Sequence, residues 1–210
     1  MEPGSGALGG TRTKKTLGFT LSWLGVKGKP TEAILAELRL RSTGVSAMEG
    51  ESPFVGAMSD AGWYIIVADY AEHQLISAAV VERLSTDCDV LTCTVEEHVM
   101  ISEATGWRNG RRLWSVTHRA EARALDIDAE GELPPEFESI RDDFTGRQEA
   151  AGGADADVDY IGEIPVVLAQ RFTGYKHDEI SKPFGGRGFE VLEQIDPPKT
   201  SWVQRLFGGS

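Results

Sequence analysis

The stretch from Leu91 to Arg119, LTCTVEEHVMISEATGWRNGRRLWSVTHR, decides the fold of this chain. Two strand-like runs flank Asn109-Gly110, a dipeptide typical of the two central residues of a type I′ hairpin turn. The pattern therefore predicts a long β-hairpin, with one arm from Leu91 to Arg108 and the other from Arg111 to Arg119. The turn fixes the opposed pairs as Arg108 with Arg111, Trp107 with Arg112, Thr105 with Trp114, Glu103 with Val116, and Ile101 with His118.

Alternation along these arms predicts one face against a core and one face in water. The buried face would carry Val95, Glu97, Val99, Ile101, Thr105, Trp107, Arg112, Trp114, Val116 and His118. The wet face would carry Thr94, Glu96, His98, Ser102, Arg111, Ser115 and Thr117.

Two ionisable residues, Glu97 and His118, fall on the predicted buried face, where they could pair with each other. A carboxylate and an imidazole in an apolar pocket could bind a small ligand or perform acid/base chemistry. Alternatively, a β-bulge at Glu96 and Glu97 would turn Glu97 outward, and His118 would then complete a structural hydrogen bond.

The hairpin tip is the candidate binding surface, with Trp107, Arg108, Arg111 and Arg112 close together. Arginine and tryptophan are enriched at binding hot spots, and Trp107 opposite Arg112 could form a cation–π pair. A second candidate is the C-terminal tail, where Trp202, Leu206 and Phe207 would share one face of a short helix. That helix could dock on a partner or fold back on its own domain.

The remaining segments predict an α+β fold. We expect strands from Leu17 to Gly25, from Trp63 to Ala68 and near Ala124–Ile127, and a loop over residues 41–60. Helices are predicted from about Thr31 to Leu38, from Gln74 to Leu84, along Leu133, Phe137, Ile140 and Phe144, and from Ile164 to Phe172. Residues 16–178 would form a single domain, a largely antiparallel sheet with helices packed on it, between a disordered leader (1–15) and a C-terminal extension (179–210).

The composition is that of an acidic globular protein. The chain has 210 residues, 40% hydrophobic and 26% charged, with a net charge of −12. Residues 121–159 hold thirteen Asp and Glu against three Arg. An acidic chain of this kind is expected to bind another protein, with a basic surface as the simplest complement, rather than nucleic acid.

Neither a membrane span nor a signal peptide is indicated, so the cytoplasm is the expected compartment. Cys88 and Cys93 are too far apart along a strand for a disulfide and should be free thiols.

No cofactor or metal site is predicted. Asp155, Asp157 and Asp159 open like a calcium loop, but Tyr160 and Val166 stand where a glycine and a glutamate are required. Four scattered histidines without a G-x-S-x-G motif indicate no nucleophilic triad.

Several blocks carry a resemblance to other proteins: LSWLGVKGKPTEAILAEL, GWYIIVADY, VERLSTDCDVLTCTVEEHVM, GWRNGRRLWSVTH, GELPPEF and DYIGEIPVVLAQRFTGYKHD. Their order, over residues 17–178, resembles a family of uncharacterised bacterial cytoplasmic α+β proteins with no established activity. The resemblance assigns no role to any residue. The layout is also similar to small bacterial α+β proteins encoded near toxin and secretion systems, among them immunity and adaptor proteins.

These observations favour a protein–protein interaction module of a bacterial cell, adaptor- or immunity-like, without evident catalysis. The alternative is a small-ligand-binding protein or an enzyme with its site around Glu97 and His118.

Overall fold

The computed structural model describes residues 20–69, 74–121, 124–179, 184 and 188–195. The predicted leader and the tail with Trp202, Leu206 and Phe207 lie outside these ranges. The strands are β1 (Thr20–Lys27), β2 (Leu40–Ala47), β3 (Phe54–Met58), β4 (Tyr64–Ala68), β5 (Asp89–Glu96), β6 (Ile101–Arg108), β7 (Arg111–Arg119), β8 (Asp128–Gly131) and β9 (Phe189–Gln194). The helices are α1 (Thr31–Leu38), α2 (Ala78–Leu84), α3 (Phe137–Ala151) and α4 (Glu163–Thr173).

All nine described strands form one antiparallel sheet in the order β2-β9-β3-β4-β1-β5-β6-β7-β8. The predicted α+β fold with a largely antiparallel sheet and packed helices is confirmed. β9 comes from the end of the described chain, yet it lies between β2 and β3, where Leu40 opposes Gln194 and Val55 opposes Val191. β9 therefore joins β2, which is an edge strand, to the rest of the sheet.

Two hydrophobic cores lie on the two faces of the sheet. On one face, α1 and α2 pack through Ile34 and Leu84 against Leu24 of β1. On the other face, α3 and α4 pack through Ile140 and Leu168 on a core that includes Trp23, Val116 and Cys93. The sheet is thus buried between two helical layers over much of its area, which explains the nearly continuous apolar sequence of β4.

The helices form close to where the sequence predicts them. α1 spans Thr31–Leu38, and α4 ends at Gly174, whose φ of 73° is the left-handed conformation that glycine adopts readily. Within the segment Gln74–Leu84, a 3₁₀ turn precedes α2. α3 begins at Phe137, after the two prolines rather than on them.

Two predictions about strands are wrong. Residues 41–60, expected to be a loop, contain most of β2 and all of β3, while the strand expected near Ala124–Ile127 lies at Asp128–Gly131. β2 is exposed on both faces along most of its length, so its sequence shows no alternation. It is a strand because of its hydrogen bonds to β9, which is far away in sequence.

The predicted single arm from Leu91 to Arg108 is also wrong, because a turn at residues 97–100 divides it into β5 and β6. Met100 takes a left-handed φ of 49° in this turn. β5 and β6 then pair with each other, so that Thr92 opposes Thr105. The predicted burial of Glu97 and Val99 fails for the same reason, since both are exposed in the turn.

The hairpin register is confirmed at the turn, where Arg108 opposes Arg111 and Trp107 opposes Arg112. A β-bulge then shifts the register by one residue, so that Gly106 opposes Trp114. The bulge accommodates the Trp114 ring, which lies so close to Gly106 that an added Cβ would meet Nε1 at 2.2 Å. The three predicted pairs beyond it are therefore wrong: Thr105 with Trp114, Glu103 with Val116, and Ile101 with His118.

Because of the bulge, residues that were predicted to share one buried face lie on opposite faces of the sheet. Trp107 packs with the α1/α2 core, and Thr105 lies on the same side of the sheet, while Trp114 and Val116 remain on the α3/α4 side. Ser102, expected in water, opposes His118 and is buried.

Candidate functional site

A cleft of about 340 Å³ opens where three segments meet: the β5–β6 turn, the N-terminal end of α4, and the residues that follow α4. Apolar side chains form part of its lining: Val95, Met100, Ile101 and Val166. Five carboxylate side chains converge on the same space, those of Glu96, Glu97, Asp159, Glu163 and Asp178, together with the His177 imidazole. An apolar lining with a few convergent polar groups is the usual character of a small-ligand site.

The β5–β6 turn brings Glu96 and Glu97 to the cleft. The Glu96 carboxylate accepts a hydrogen bond of 2.9 Å from the Thr20 hydroxyl and one of 3.2 Å from the backbone N–H of His98. These contacts hold the turn against β1. Glu97, the next residue, is exposed and lines the cleft.

Glu97 and His118 do not lie as the sequence suggests. His118 is 1% exposed in β7, where its Nε2 lies 3.2 Å from Asp159 Oδ2 and its Nδ1 lies 2.8 Å from the Asp126 carbonyl oxygen. The predicted contact between Glu97 and His118 is replaced by one between His118 and Asp159. Asp159 lines the cleft, so His118 lies directly behind its wall.

The protonation of His118 follows from these two contacts. A carbonyl oxygen only accepts, so Nδ1 must carry a proton, and Nε2 faces a carboxylate favourably only if it carries one too. Burial alone would lower the pKa of His118, but Asp159 and the Asp126 carbonyl together raise it above its usual value. Burial would raise the pKa of Asp159, yet His118 and nearby backbone N–H groups lower it. Both shifts favour the charged form, so the two groups form an ion pair whenever His118 is protonated, with Nε2 facing the carboxylate but outside hydrogen-bond geometry.

Lys176 lies behind the lining and pairs with two of the lining carboxylates. Its Nζ lies 2.9 Å from Glu163 Oε2 and 2.9 Å from Asp178 Oδ1. Burial alone would lower the pKa of Lys176, but these carboxylates raise it, so the ammonium stays charged. Burial lowers the pKa of the neighbouring His177, whose imidazole is therefore neutral at neutral pH.

A half-buried carboxyl, that of Glu49, lies close to this cluster. The Tyr175 hydroxyl donates a hydrogen bond of 2.6 Å to Glu49 Oε2, and the Tyr175 ring packs edge-on against Trp23 and Phe189. Burial raises the pKa of Glu49 from 4.5 to about 7, with repulsion from Asp69 and Asp178 adding to the rise and the Tyr175 hydrogen bond opposing it. Glu49 is therefore half protonated near neutral pH.

The contacts of His118 and Ser102 do not form a base–nucleophile pair. His118 uses one nitrogen on the Asp126 carbonyl and the other on Asp159, so neither is available to activate Ser102 on the opposite strand. The Ser102 hydroxyl itself donates to the Gly162 carbonyl at 2.6 Å. Among the residues with described positions, no group of three or more His, Cys, Asp or Glu side chains could hold a metal ion.

The predicted hairpin tip lies elsewhere and is braced by its neighbours. The backbone N–H of Asn109 donates to the Ser85 carbonyl at 2.8 Å, and Arg108 forms an ion pair with Asp89 at 2.6 Å. Arg112 pairs with Glu130 at 3.3 Å. Arg111 is exposed and forms no ion pair with any residue that the structure describes.

The Trp107 indole N–H donates to the Thr105 hydroxyl at 2.8 Å, and the ring packs with the α1/α2 core. Cys88 and Cys93 are both free and buried, as predicted.

Comparison of the chain with family models, curated proteins and solved structures found no match. None of the described helices is long and apolar enough to cross a membrane.

The sequence pointed to a pocket at Glu97, but it did not predict most of the other polar residues that line the cleft: Asp159, Glu163, His177 and Asp178. The signal available was local. The runs DVDYIGE and GYKHD put charged side chains immediately before and after α4, at the two ends of a helix whose middle is apolar. Only the packing of α4 across β5 and β6 brings these ends near the β5–β6 turn.

Proposed function

We propose that the protein binds a small organic cation in the cleft between the β5–β6 turn and α4. The observation that carries this proposal is the lining, which holds five carboxylate side chains and, among the described residues, no lysine or arginine. An ammonium or guanidinium group would exchange water for charge-assisted hydrogen bonds there. The apolar part of the lining would bury the rest of such a ligand.

The electrostatics of the cleft favour this ligand class over an anion. Lys176 and His118 stand behind the lining and offset part of the charge of Glu163, Asp178 and Asp159. Glu96 and Glu97 add further negative charge at the mouth. A phosphate or carboxylate ligand would meet like charge there, whereas a cation would gain an attraction that weakens as salt is added.

Calorimetric titration of the full chain with agmatine, cadaverine and choline tests the proposal, with citrate as an anionic probe. We expect binding of at least one cation, weakened by salt, and no binding of citrate. Glu97→Gln removes one charge from the exposed turn and should raise the Kd about tenfold. Glu149→Gln, on the exposed surface of α3, is the matched control and should leave the Kd unchanged. The proposal fails if all three cations are inert, or if Glu97→Gln binds as tightly as the unmodified chain.

A second function, a protein-interaction module of the adaptor or immunity type, is supported by the hairpin tip. Arg111 is exposed on a turn braced by Ser85, so a partner would meet a preformed basic projection. Arg111→Glu should abolish a salt-sensitive protein complex, whereas Arg171→Glu on α4 should not. Trp107→Ala is a poorer test, because it also removes packing from the α1/α2 core. If Arg111→Glu and Arg171→Glu chains capture the same partner equally well, the tip is not the interface.

A further inference from the structure

A second groove lies on the opposite side of the sheet from α3 and α4, over β6, β7 and β8. It encloses about 740 Å³, within the range of small-ligand sites, and lies beyond the α1/α2 core. Its lining is mostly polar, in contrast to that core.

The floor of this groove is made of short hydroxyl side chains. Ser115 and Thr117 of β7 face it and are only 7% and 8% exposed, because longer side chains of the neighbouring strands surround them. The sequence predicts that both side chains face water, as they would on an uncovered face of the sheet. Neither hydroxyl makes a hydrogen bond with another residue in the described part of the chain, so each remains available as both donor and acceptor.

Charged side chains stand on both sides of the floor. The sheet register places Glu103 of β6 and Asp128 of β8 on either side of Thr117, and Glu130 beside Ser115. Within the described part of the structure, Glu103 forms no ion pair and no side-chain hydrogen bond. Its carboxylate faces the groove.

The other charges of the groove are already balanced. Arg112 lies 3.3 Å from Glu130, and Arg119 lies 3.7 Å from Asp128. Each guanidinium therefore offsets a carboxylate, and only Glu103 is left over. A strongly charged ligand would have to separate these pairs, whereas a neutral ligand would leave them in place.

From this combination we propose that the groove binds a neutral polyhydroxylated ligand, a saccharide. Sugar hydroxyls both donate and accept, which matches the Ser115 and Thr117 hydroxyls. The Glu103 carboxylate can accept from two neighbouring hydroxyls, and the outer N–H groups of Arg112 and Arg119 can donate to others. A phosphate would meet three carboxylates in the same groove, and the site is distinct from the acidic cleft on the other side of the sheet.

Amide ¹⁵N–¹H spectra of the full chain, recorded during titration with glucose, galactose, mannose, N-acetylglucosamine and maltose, test this proposal. We expect at least one saccharide to shift the amides of Glu103, Ser115 and Thr117 while leaving those of Glu97 and His177 in place. Thr117→Val keeps the shape of the side chain without its hydroxyl, Ser115→Ala removes only the hydroxyl, and each should weaken that binding about tenfold. Thr145→Val on α3 is the matched control and should bind normally.

Three results would overturn the proposal. They are the absence of saturable shifts with every saccharide, shifts spread evenly over the surface, and shifts of the groove amides by agmatine or an unrelated extended peptide instead of a sugar. Because the probes and the reporting amides differ from those of the cleft experiment, the two proposals can fail separately.

Discussion

Replacing Glu49 with glutamine should stabilise the protein at alkaline pH and change its stability little in mild acid. The half-buried Glu49 carboxyl has its pKa raised from 4.5 to about 7 in the folded chain. A carboxyl with a raised folded pKa binds its proton more tightly when folded. The free energy of unfolding therefore falls as the pH rises from 4.5 through about 7, and it is level above that.

The size of the effect follows from the shift. A rise from 4.5 to about 7, at about 1.4 kcal/mol per pKa unit, corresponds to at most about 3.5 kcal/mol lost at high pH. Glutamine carries no charge at any pH, and its carbonyl can still accept the hydrogen bond from the Tyr175 hydroxyl. Glu49→Gln should therefore escape this loss.

Urea unfolding followed by tryptophan fluorescence, at about pH 5 and about pH 8, measures the difference. The stability advantage of Glu49→Gln over the unmodified chain should grow by about 2–3 kcal/mol between the two conditions. Glu149→Gln, an exposed substitution on α3, should change stability by less than about 0.5 kcal/mol at both. An advantage of Glu49→Gln that is the same at both pH values would refute the raised pKa of Glu49.

Three further outcomes are expected. Asp159→Asn should lower the free energy of unfolding, measured in urea, by about 2 kcal/mol between pH 3.8 and 6.5. The stabilisation by Asp159 is lost as the pH falls through its lowered pKa. The stabilisation by His118 is lost as the pH rises through its raised pKa. A loss independent of pH would contradict this. In an NMR titration, the His118 imidazole should change charge above pH 6.5, and Asp159→Asn should lower that midpoint. An unchanged midpoint would exclude the ion pair. Gly106→Ala should cost about 2 kcal/mol or more, since its Cβ would meet Trp114 Nε1 at 2.2 Å, whereas Gly146→Ala, with no atom within 4 Å, should be neutral or stabilising. Equal thermal stability of the two glycine variants would contradict the packing argument.

The helices were predictable because their signals are local. In α1 and α4 the apolar residues recur at a spacing that places them on one face of the helix. α4 is followed by a glycine in the left-handed conformation. The Asn109-Gly110 turn is equally local, and it correctly fixed the two pairs nearest to it.

The register beyond the turn was not predictable from alternation alone. Counting outward from the turn assumes an unbroken ladder, whereas the Trp114 ring needs the open space above Gly106 and a bulge supplies it. One inserted residue moves every later side chain to the other face. That is why Ile101 and Glu103 were assigned the wrong partners.

The cleft could be predicted only in part. Glu97 follows β5 directly and was predicted on a buried face beside His118, whereas it is exposed in the turn and lines the cleft from there. Its neighbours Glu163 and Asp178 lie far along the chain, at the two ends of α4, and only tertiary packing brings them to the cleft. β2 was not predicted for a related reason: its partner β9 lies near the other end of the described chain, far away in sequence.

The position of β9 bears on how the protein is made in the cell. β2 leaves the ribosome early but has no neighbour in the sheet until Phe189–Gln194 has also emerged. Until then its backbone N–H and C=O groups have no strand to pair with, and they can pair with other chains instead. Because this last contact joins segments so distant in sequence, completing the sheet should be a slow, late step of folding. A nascent chain halted before β9 should therefore be the form of this protein most prone to aggregate and to bind chaperones.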